Sequence, residues 1–212
     1  MEILFATTSD RKKNDLQNVI DSLEINIKVR TYKDIGWMDA NIEENGKSLS
    51  ENSLIKAEST RLYCLNNGIE LPIISDDAGL FCDAIGGEPG IYTSRYAEKE
   101  MAENPDLPPY QGIIKLLNKM QDKKDRTAYY RCVVTYMEPT GEFFQVQGES
   151  KGKIANGIVG KLVKPYQYSI FMLDGMDVPL NDVTDEKILM ESYRYKALRQ
   201  TILKIANKWN EK

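Results

Sequence analysis

The sequence predicts an α/β protein with a mixed central β-sheet flanked by helices, in two lobes around a cleft. Three observations carry that reading. The chain opens on a short apolar run, a polar loop and an amphipathic helical period. A second helical period is followed by a five-residue apolar run that ends in paired aspartates. A long segment rich in Tyr, Val and Thr and a second, shorter strand-like segment then flank a P-T-G turn, before a closing helical period. No internal repeat and no low-complexity linker interrupts the chain, so residues 1–212 read as a single domain of two lobes.

Ile3 to Thr7 forms the first apolar run, and T-T-S-D-R-K follows it as a hydroxyl-rich loop bearing Lys12. Leu16, Val19, Ile20 and Leu23 recur at helical spacing, with Ser9 or Asp10 as the N-cap. A strand carrying Ile25, Ile27 and Val29 comes next. Ser48 to Glu51 has capping-box spacing and starts a second helix, for which Ile55, Leu62 and Leu65 are the expected buried stripe. Asn52 and Lys56, four residues apart on that helix, can point at the same ligand. Leu71 to Ser75 reads as a buried strand that ends at Asp76 and Asp77, and ligands collect outside the carboxyl ends of strands in open α/β sheets. Pro108 and Pro109 precede a helix with Ile113, Leu116 and Met120. Thr127 to Met137 and Glu142 to Gln147 form an antiparallel pair, and Gly148, Gly152, Gly157 and Gly160 break up the segment that follows. A helix from about Ser192, with Ala197, Leu198, Ile202 and Ile205 on one face, closes the chain.

Composition excludes several classes of function. There is no histidine, so histidine general bases, histidine metal ligands and Ser-His or Cys-His catalysis are absent. Acid–base and metal chemistry must fall to carboxylates, lysine or tyrosine. Cys64, Cys82 and Cys132 are odd in number and widely spaced, which suits small buried hydrophobes and neither a disulfide framework nor a zinc cluster. The net charge of −4 argues against a nucleic-acid partner, and the sign-alternating charges of K-M-Q-D-K-K-D-R, Lys119 to Arg126, read as a solvated loop. No apolar run is long enough for a membrane span, and M-E-I-L-F-A-T reads as a first strand, so a cytoplasmic location is expected.

The densest chemistry runs from Glu43 to Tyr96: E-E-N-G-K-S-L-S-E-N-S-L-I-K-A, then L-P-I-I-S-D-D-A-G-L, then G-G-E-P-G-I-Y-T-S-R-Y. Acidic pairs with a helical lysine suit a metal–phosphate site, because Mg²⁺ prefers carboxylate oxygens together with substrate phosphates. Taken singly the parts are weaker: Asp76 and Asp77 equally suit a solvated turn, Glu44 surface charge, Lys56 a solvent-facing lysine, and G-G-E-P-G a tight turn.

Together they resemble the inosine triphosphate pyrophosphatase family, whose members hydrolyse deaminated nucleotides such as ITP, dITP and XTP to the monophosphate and pyrophosphate. G-K-S-L-S-E-N-S-L-I-K-A is similar to that family's G-x-T-F-x-E-N-A-x-x-K-A, and D-D-A-G-L-F-C-D-A-I-G-G-E-P-G-I-Y-T-S-R-Y to its D-D-S-G-L-x-x-D-x-L-G-G-x-P-G-x-Y-S-A-R-Y. The resemblance implies a nucleotide-binding cleft, a nucleoside triphosphate substrate, Mg²⁺ as cofactor and a homodimer. It implies metal binding by Glu44 and Asp77, with Asp76 beside them, and a general base at Asp77. It places Lys56 and Lys12 on the phosphates, and Thr7, Ser9, Asn52, Ala78, Tyr166, Tyr168, Ser192, Tyr193 and Arg194 among the substrate contacts.

Three departures bear on which nucleotide is taken. The family's T-G-N-x-x-K is here Thr7-Thr8-Ser9-Asp10-Arg11-Lys12, which keeps hydroxyls but narrows the backbone approach. Its G-F-G-Y-D-P-I-F is replaced around Pro165 to Phe171, without an aspartate, where Tyr166 or Tyr168 could stack on a base or serve in ordinary packing. Its S-H-R is here Ser192-Tyr193-Arg194, in which Arg194 still offers a cationic donor to a carbonyl oxygen and Ser192 an N-cap. The same chemistry on a shifted nucleotide and a non-catalytic nucleotide-binding protein are the alternative readings.

Overall fold

A computed structural model describes residues 1–210 and resolves the chain into two compact units. The first holds Met1–Asp77, Cys132–Gly148 and the stretch from Ser192 onward; the second holds Ala78–Arg131 and Glu149–Glu191. Seven strands are hydrogen-bonded into one sheet: β1 (Glu2–Phe5), β2 (Lys28–Thr31), β3 (Ile73–Cys82), β4 (Pro89–Gly90), β5 (Thr127–Met137), β6 (Phe143–Ile154) and β7 (Phe171–Leu173). Their order is β2-β1-β3-β5-β6-β7, with β4 paired to β3. Parallel β1–β2 and β1–β3 pairs and antiparallel β3–β4 and β6–β7 pairs make the sheet mixed, as the sequence predicts.

In the first unit Ile3, Leu4 and Phe5 of β1 are wholly buried, with Leu4 opposite Ile73 and Phe5 opposite Ile74. Helix α1 (Asp10–Ser22) starts at an N-cap in which Ser9 Oγ accepts the Lys12 N–H, and it buries Leu16, Val19 and Ile20. Helix α6 (Tyr193–Asn210) packs against α1 and buries Ala197, Leu198, Ile202 and Ile205. In the second unit, helices α3 (Glu98–Glu103), α4 (Gln111–Met120) and α5 (Glu186–Met190) accompany a core of Leu80, Ile113, Leu116, Met120, Ile170 and Phe171.

Helix α2 (Leu49–Asn66) departs from the expected stripe. Leu62 and Leu65 are exposed, whereas Asn52, Ser53, Ala57, Thr60 and Cys64 are buried. Hydrogen bonding explains this polar inner face. Ser53 Oγ lies 2.7 Å from Thr135 Oγ1, Ser75 Oγ donates to the Ser53 carbonyl at 2.6 Å, and Gln145 Nε2 donates to Thr135 Oγ1 and the Ser50 carbonyl. A satisfied buried network can seat a helix where an apolar stripe would otherwise do so. The capping box is also only half reciprocal: Ser48 Oγ accepts the Glu51 N–H, but Glu51 reaches past it to the Lys47 N–H at 2.7 Å.

Three other expectations need correction. Ile25 and Ile27 precede β2 rather than lying in it. Asp76 and Asp77 sit inside β3, not beyond its end, because the strand continues past its parallel partner to pair with β4. Gly148 and Gly152 lie within β6 and do not interrupt it. A Cβ on Gly148 would stand 2.8 Å from the Ala197 amide nitrogen and closer still to the Tyr193 carbonyl oxygen, so glycine there admits the first turn of α6 against the strand. Gly148→Ala is expected to destabilise the protein by about 1–3 kcal/mol, read by denaturant unfolding, because backbone must move.

All three cysteines are buried and free, as expected. Burial raises the thiols of Cys64 to about 11 and of Cys82 and Cys132 to about 12. A thiol reagent at pH 8 is therefore expected to leave the folded protein unlabelled and to label all three cysteines in denaturant. No helix among the described residues is long and apolar enough to cross a membrane.

Candidate active site

The charged residues singled out in the sequence converge within the first unit. Strand β3 presents Asp76 and Asp77 as neighbours, and the alternation of a strand turns consecutive side chains to opposite faces. Asp76 meets α1 and α6. Its Oδ1 accepts from Lys12 Nζ at 2.9 Å, its Oδ2 is paired with the Arg194 guanidinium, and the Cys132 thiol lies 3.9 Å from that same oxygen. Asp77 meets α2, where Asn52 Nδ2 donates to its Oδ2 at 3.0 Å.

Lys56, one helical turn beyond Asn52, spans two of the predicted groups. Its Nζ donates to the Asp76 carbonyl oxygen at 2.9 Å and pairs with Glu44 Oε1 at 3.0 Å. The shared helical face of Asn52 and Lys56 thus gathers both aspartates and the Glu44 loop. Thr7 and Ser9 lie just before α1. Thr7 Oγ1 accepts the Ser9 N–H at 3.0 Å, while Ser9 Oγ caps the helix, and each hydroxyl hydrogen remains a donor suited to phosphate oxygen.

Arg194 is more deeply set than a residue that only reads a ligand. Its side chain is 7% exposed, and besides Asp76 its Nε stands 3.8 Å from Asp15 Oδ2. Burial and the nearby Arg11 cation pull the guanidinium down to about 10. Burial, with the Arg194 and Lys56 cations beside it, likewise holds the Lys12 ammonium well below the ordinary lysine range. Tyr193 is buried, and Ser192 begins α6 by accepting the Lys196 N–H at its carbonyl.

The predicted contacts in the second unit are Ala78, Tyr166 and Tyr168. Ala78 follows Asp77 in β3 and is half-buried. Tyr166 and Tyr168 belong to a short 3-10 turn, Tyr166–Ser169, rather than to a strand. Tyr166 sits edge-on to Tyr110 at 6.2 Å, and Tyr168 edge-on to Tyr130 at 5.4 Å.

Two participants escaped sequence reasoning. Asp15 accepts from Arg11 at 3.0 Å and from the Tyr195 hydroxyl at 3.2 Å, and it faces Arg194; the i, i+4 pair Arg11–Asp15 was the signal for it. Gly46 donates its N–H to Asn52 Oδ1 at 2.8 Å, and a Cβ there would lie 2.7 Å from that oxygen.

Four cations (Arg11, Lys12, Lys56, Arg194) thus stand among four carboxylates (Asp15, Glu44, Asp76, Asp77). A triphosphate entering such a balanced set would bring unmatched negative charge, which an accompanying divalent cation offsets. The carboxylate oxygens of the set suit a hard cation, while burial keeps the nearby Cys132 thiol protonated. No cluster of three or more metal-ligating side chains occurs among the described residues.

Residues 3–203 match the model of the Ham1 family. A dITP/XTP pyrophosphatase of Borreliella burgdorferi (strain ZS7) is 31% identical over 192 residues, covering 91% of this chain and 90% of that protein. A dITP/XTP pyrophosphatase of Bacillus subtilis (strain 168) is 28% identical, covering 94% of each. Among solved structures, the Staphylococcus aureus Ham1 protein superposes with a TM-score of 0.77 at 28% identity, over 98% of this chain and all of that one. A HAM1 protein from Coxiella burnetii gives 0.80 at 26% identity, over 98% and 99%. With nearly its whole length matched, this chain belongs to the Ham1 family and is a hydrolase of nucleoside triphosphate anhydride bonds.

Proposed function

We propose that this protein is a Mg²⁺-dependent pyrophosphatase that converts deaminated purine triphosphates (dITP, XTP and ITP) to the monophosphate and pyrophosphate. The observation that carries the reading is the convergence of Lys12, Lys56, Glu44 and Asn52 on Asp76 and Asp77. The names of the relatives support the choice of nucleotide. Glu44 and Asp77 are the carboxylates suited to hold Mg²⁺, which when bound neutralises charge on the phosphate oxygens. Lys12 and Lys56 pair with phosphate oxygens, the Thr7 and Ser9 hydroxyls donate to them, and Asp77 orients a water and takes its proton. Asp76 serves as counter-charge to Lys12 and Arg194, since both of its oxygens are engaged by those cations. The family resemblance adds a homodimer, and a cytoplasmic location completes the reading.

The depressed Lys12 ammonium has a pH consequence. A lysine that releases its proton below the ordinary 10.5 loses its phosphate-binding charge early as pH rises. The alkaline limb of kcat/KM is therefore expected below the usual lysine range, and Lys12→Arg is expected to move it upward.

A second reading, the same chemistry on another nucleotide, is favoured by one observation. Tyr193 is buried and Arg194 is turned onto Asp76 and Asp15, so base recognition need not follow the family pattern. Measuring kcat/KM for dITP, XTP, ITP, dUTP, GTP and ATP with Mg²⁺ separates the two. Preference for the deaminated purines by tenfold or more, roughly the discrimination a few pocket contacts supply, supports the first. Preference for another nucleotide supports the second, and no turnover of any defeats both.

A further inference from the structure

We propose that Asn52 is a positioning residue that ties the Glu44 loop to Asp77, and that it acts through them and not by touching the substrate. The proposal rests on the pyrophosphatase reading above.

Asn52 is wholly buried on α2, and protein groups engage both ends of its carboxamide. The oxygen accepts the Gly46 N–H at 2.8 Å and the nitrogen donates to Asp77 Oδ2 at 3.0 Å. The orientation of the amide is thereby fixed, since a flipped amide would set donor against donor at Gly46 and oxygen against carboxylate at Asp77. One side chain thus connects the loop bearing Glu44, two residues before Gly46, to the strand bearing Asp77. Gly46 must lack a side chain for this contact, because a Cβ would stand 2.7 Å from both the Asn52 oxygen and Glu51 Cβ.

Asn52 is itself held from below. Its neighbour Ser53 lies 2.7 Å from Thr135 Oγ1 and accepts at its carbonyl from Ser75 Oγ at 2.6 Å, while Gln145 Nε2 holds the Ser50 carbonyl at 2.8 Å. These bonds register α2 against β3, β5 and β6, and leave Asn52 little freedom to turn toward a ligand. Partners that orient a ligating or catalytic carboxylate from behind typically change metal affinity or activity by about 10–100-fold when removed.

The test uses the full-length chain with Asn52→Asp and Asn52→Ala. The aspartate keeps an acceptor for the Gly46 N–H but sets a carboxylate where Asp77 had a donor. The alanine removes both bonds and adds no charge, so it carries the test should the aspartate prevent folding, with circular dichroism as the check. Two readouts are made: kcat and KM for dITP with Mg²⁺, and hydrogen exchange of the Gly46 amide in the free protein. The expected result is kcat lowered by about 10–100-fold in the folded variants with KM nearly unchanged. Gly46 exchange should stay slow in Asn52→Asp and quicken by about tenfold in Asn52→Ala. A raised KM with kcat retained would make Asn52 a substrate contact and overturn the proposal, as would wild-type kinetics in either variant. If the wild-type protein turns over no nucleotide, the pyrophosphatase reading fails by itself. Gly46 exchange then decides the link alone: slow in wild type and fast in Asn52→Ala sustains it, and equal rates overturn it.

Discussion

Asp77→Asn is expected to lower kcat by about 10²–10⁴-fold, the range general-base catalysis contributes, while the fold and its melting temperature stay close to wild type. The reason lies in which atoms the substitution keeps. An asparagine oxygen still accepts from Asn52 Nδ2, so the 3.0 Å bond to α2 survives, and the side chain at this half-buried position hardly changes in size. What is lost is the negative charge and the proton-accepting lone pair. The check is steady-state turnover beside a circular-dichroism melt. Turnover within a few-fold of wild type would remove Asp77 from the role of base, and with no histidine in the chain the search would pass to Glu44.

Asp76 should behave in the opposite way, as a stability residue first. It is wholly buried, and its carboxylate meets Lys12 on one oxygen and Arg194 on the other. Asp76→Ala leaves a guanidinium whose side chain is only 7% exposed, and an ammonium beside it, without their counter-charge. Breaking a buried pair by removing one partner costs about 3–5 kcal/mol. For a protein of this size that corresponds to a fall in melting temperature on the order of 10 °C. The loss should be present without metal or nucleotide, because the partners of Asp76 are side chains of the chain itself. A variant that melts within 2 °C of wild type, on the same scale, would mean that Lys12 and Arg194 find other partners.

The parts of the fold that were legible in the sequence are those where apolar period and capping agree: β1 into α1 through the Ser9 cap, the Thr127–Met137 strand, and the closing helix with Ala197, Leu198, Ile202 and Ile205 inside. Two of the misread parts share one physical cause, which is that small polar residues and glycines can be interior. Helix α2 exposes Leu62 and Leu65 because Ser53, Thr60 and their hydroxyl partners seat its other face. Gly148 and Gly152 look like strand breakers until the backbone pressed against each is visible, α6 in one case and β7 in the other. The aspartate pair was located to the right strand but the wrong place on it, because a strand that changes partners midway leaves no mark in its apolar pattern. For the site, the resemblance to the pyrophosphatase family brought Lys12, Glu44, Lys56 and the two aspartates to notice together. Arg194 was seen only as a donor for a ligand. Its pairing with Asp76 crosses 118 residues of sequence, a separation over which no local pattern operates.

The most direct test of the central claim is the identity of the products formed from dITP with Mg²⁺, followed by phosphorus NMR. Monophosphate and pyrophosphate in equal amounts, with no orthophosphate, are the predicted result. Diphosphate and orthophosphate would place the cleavage at the outer anhydride and contradict it.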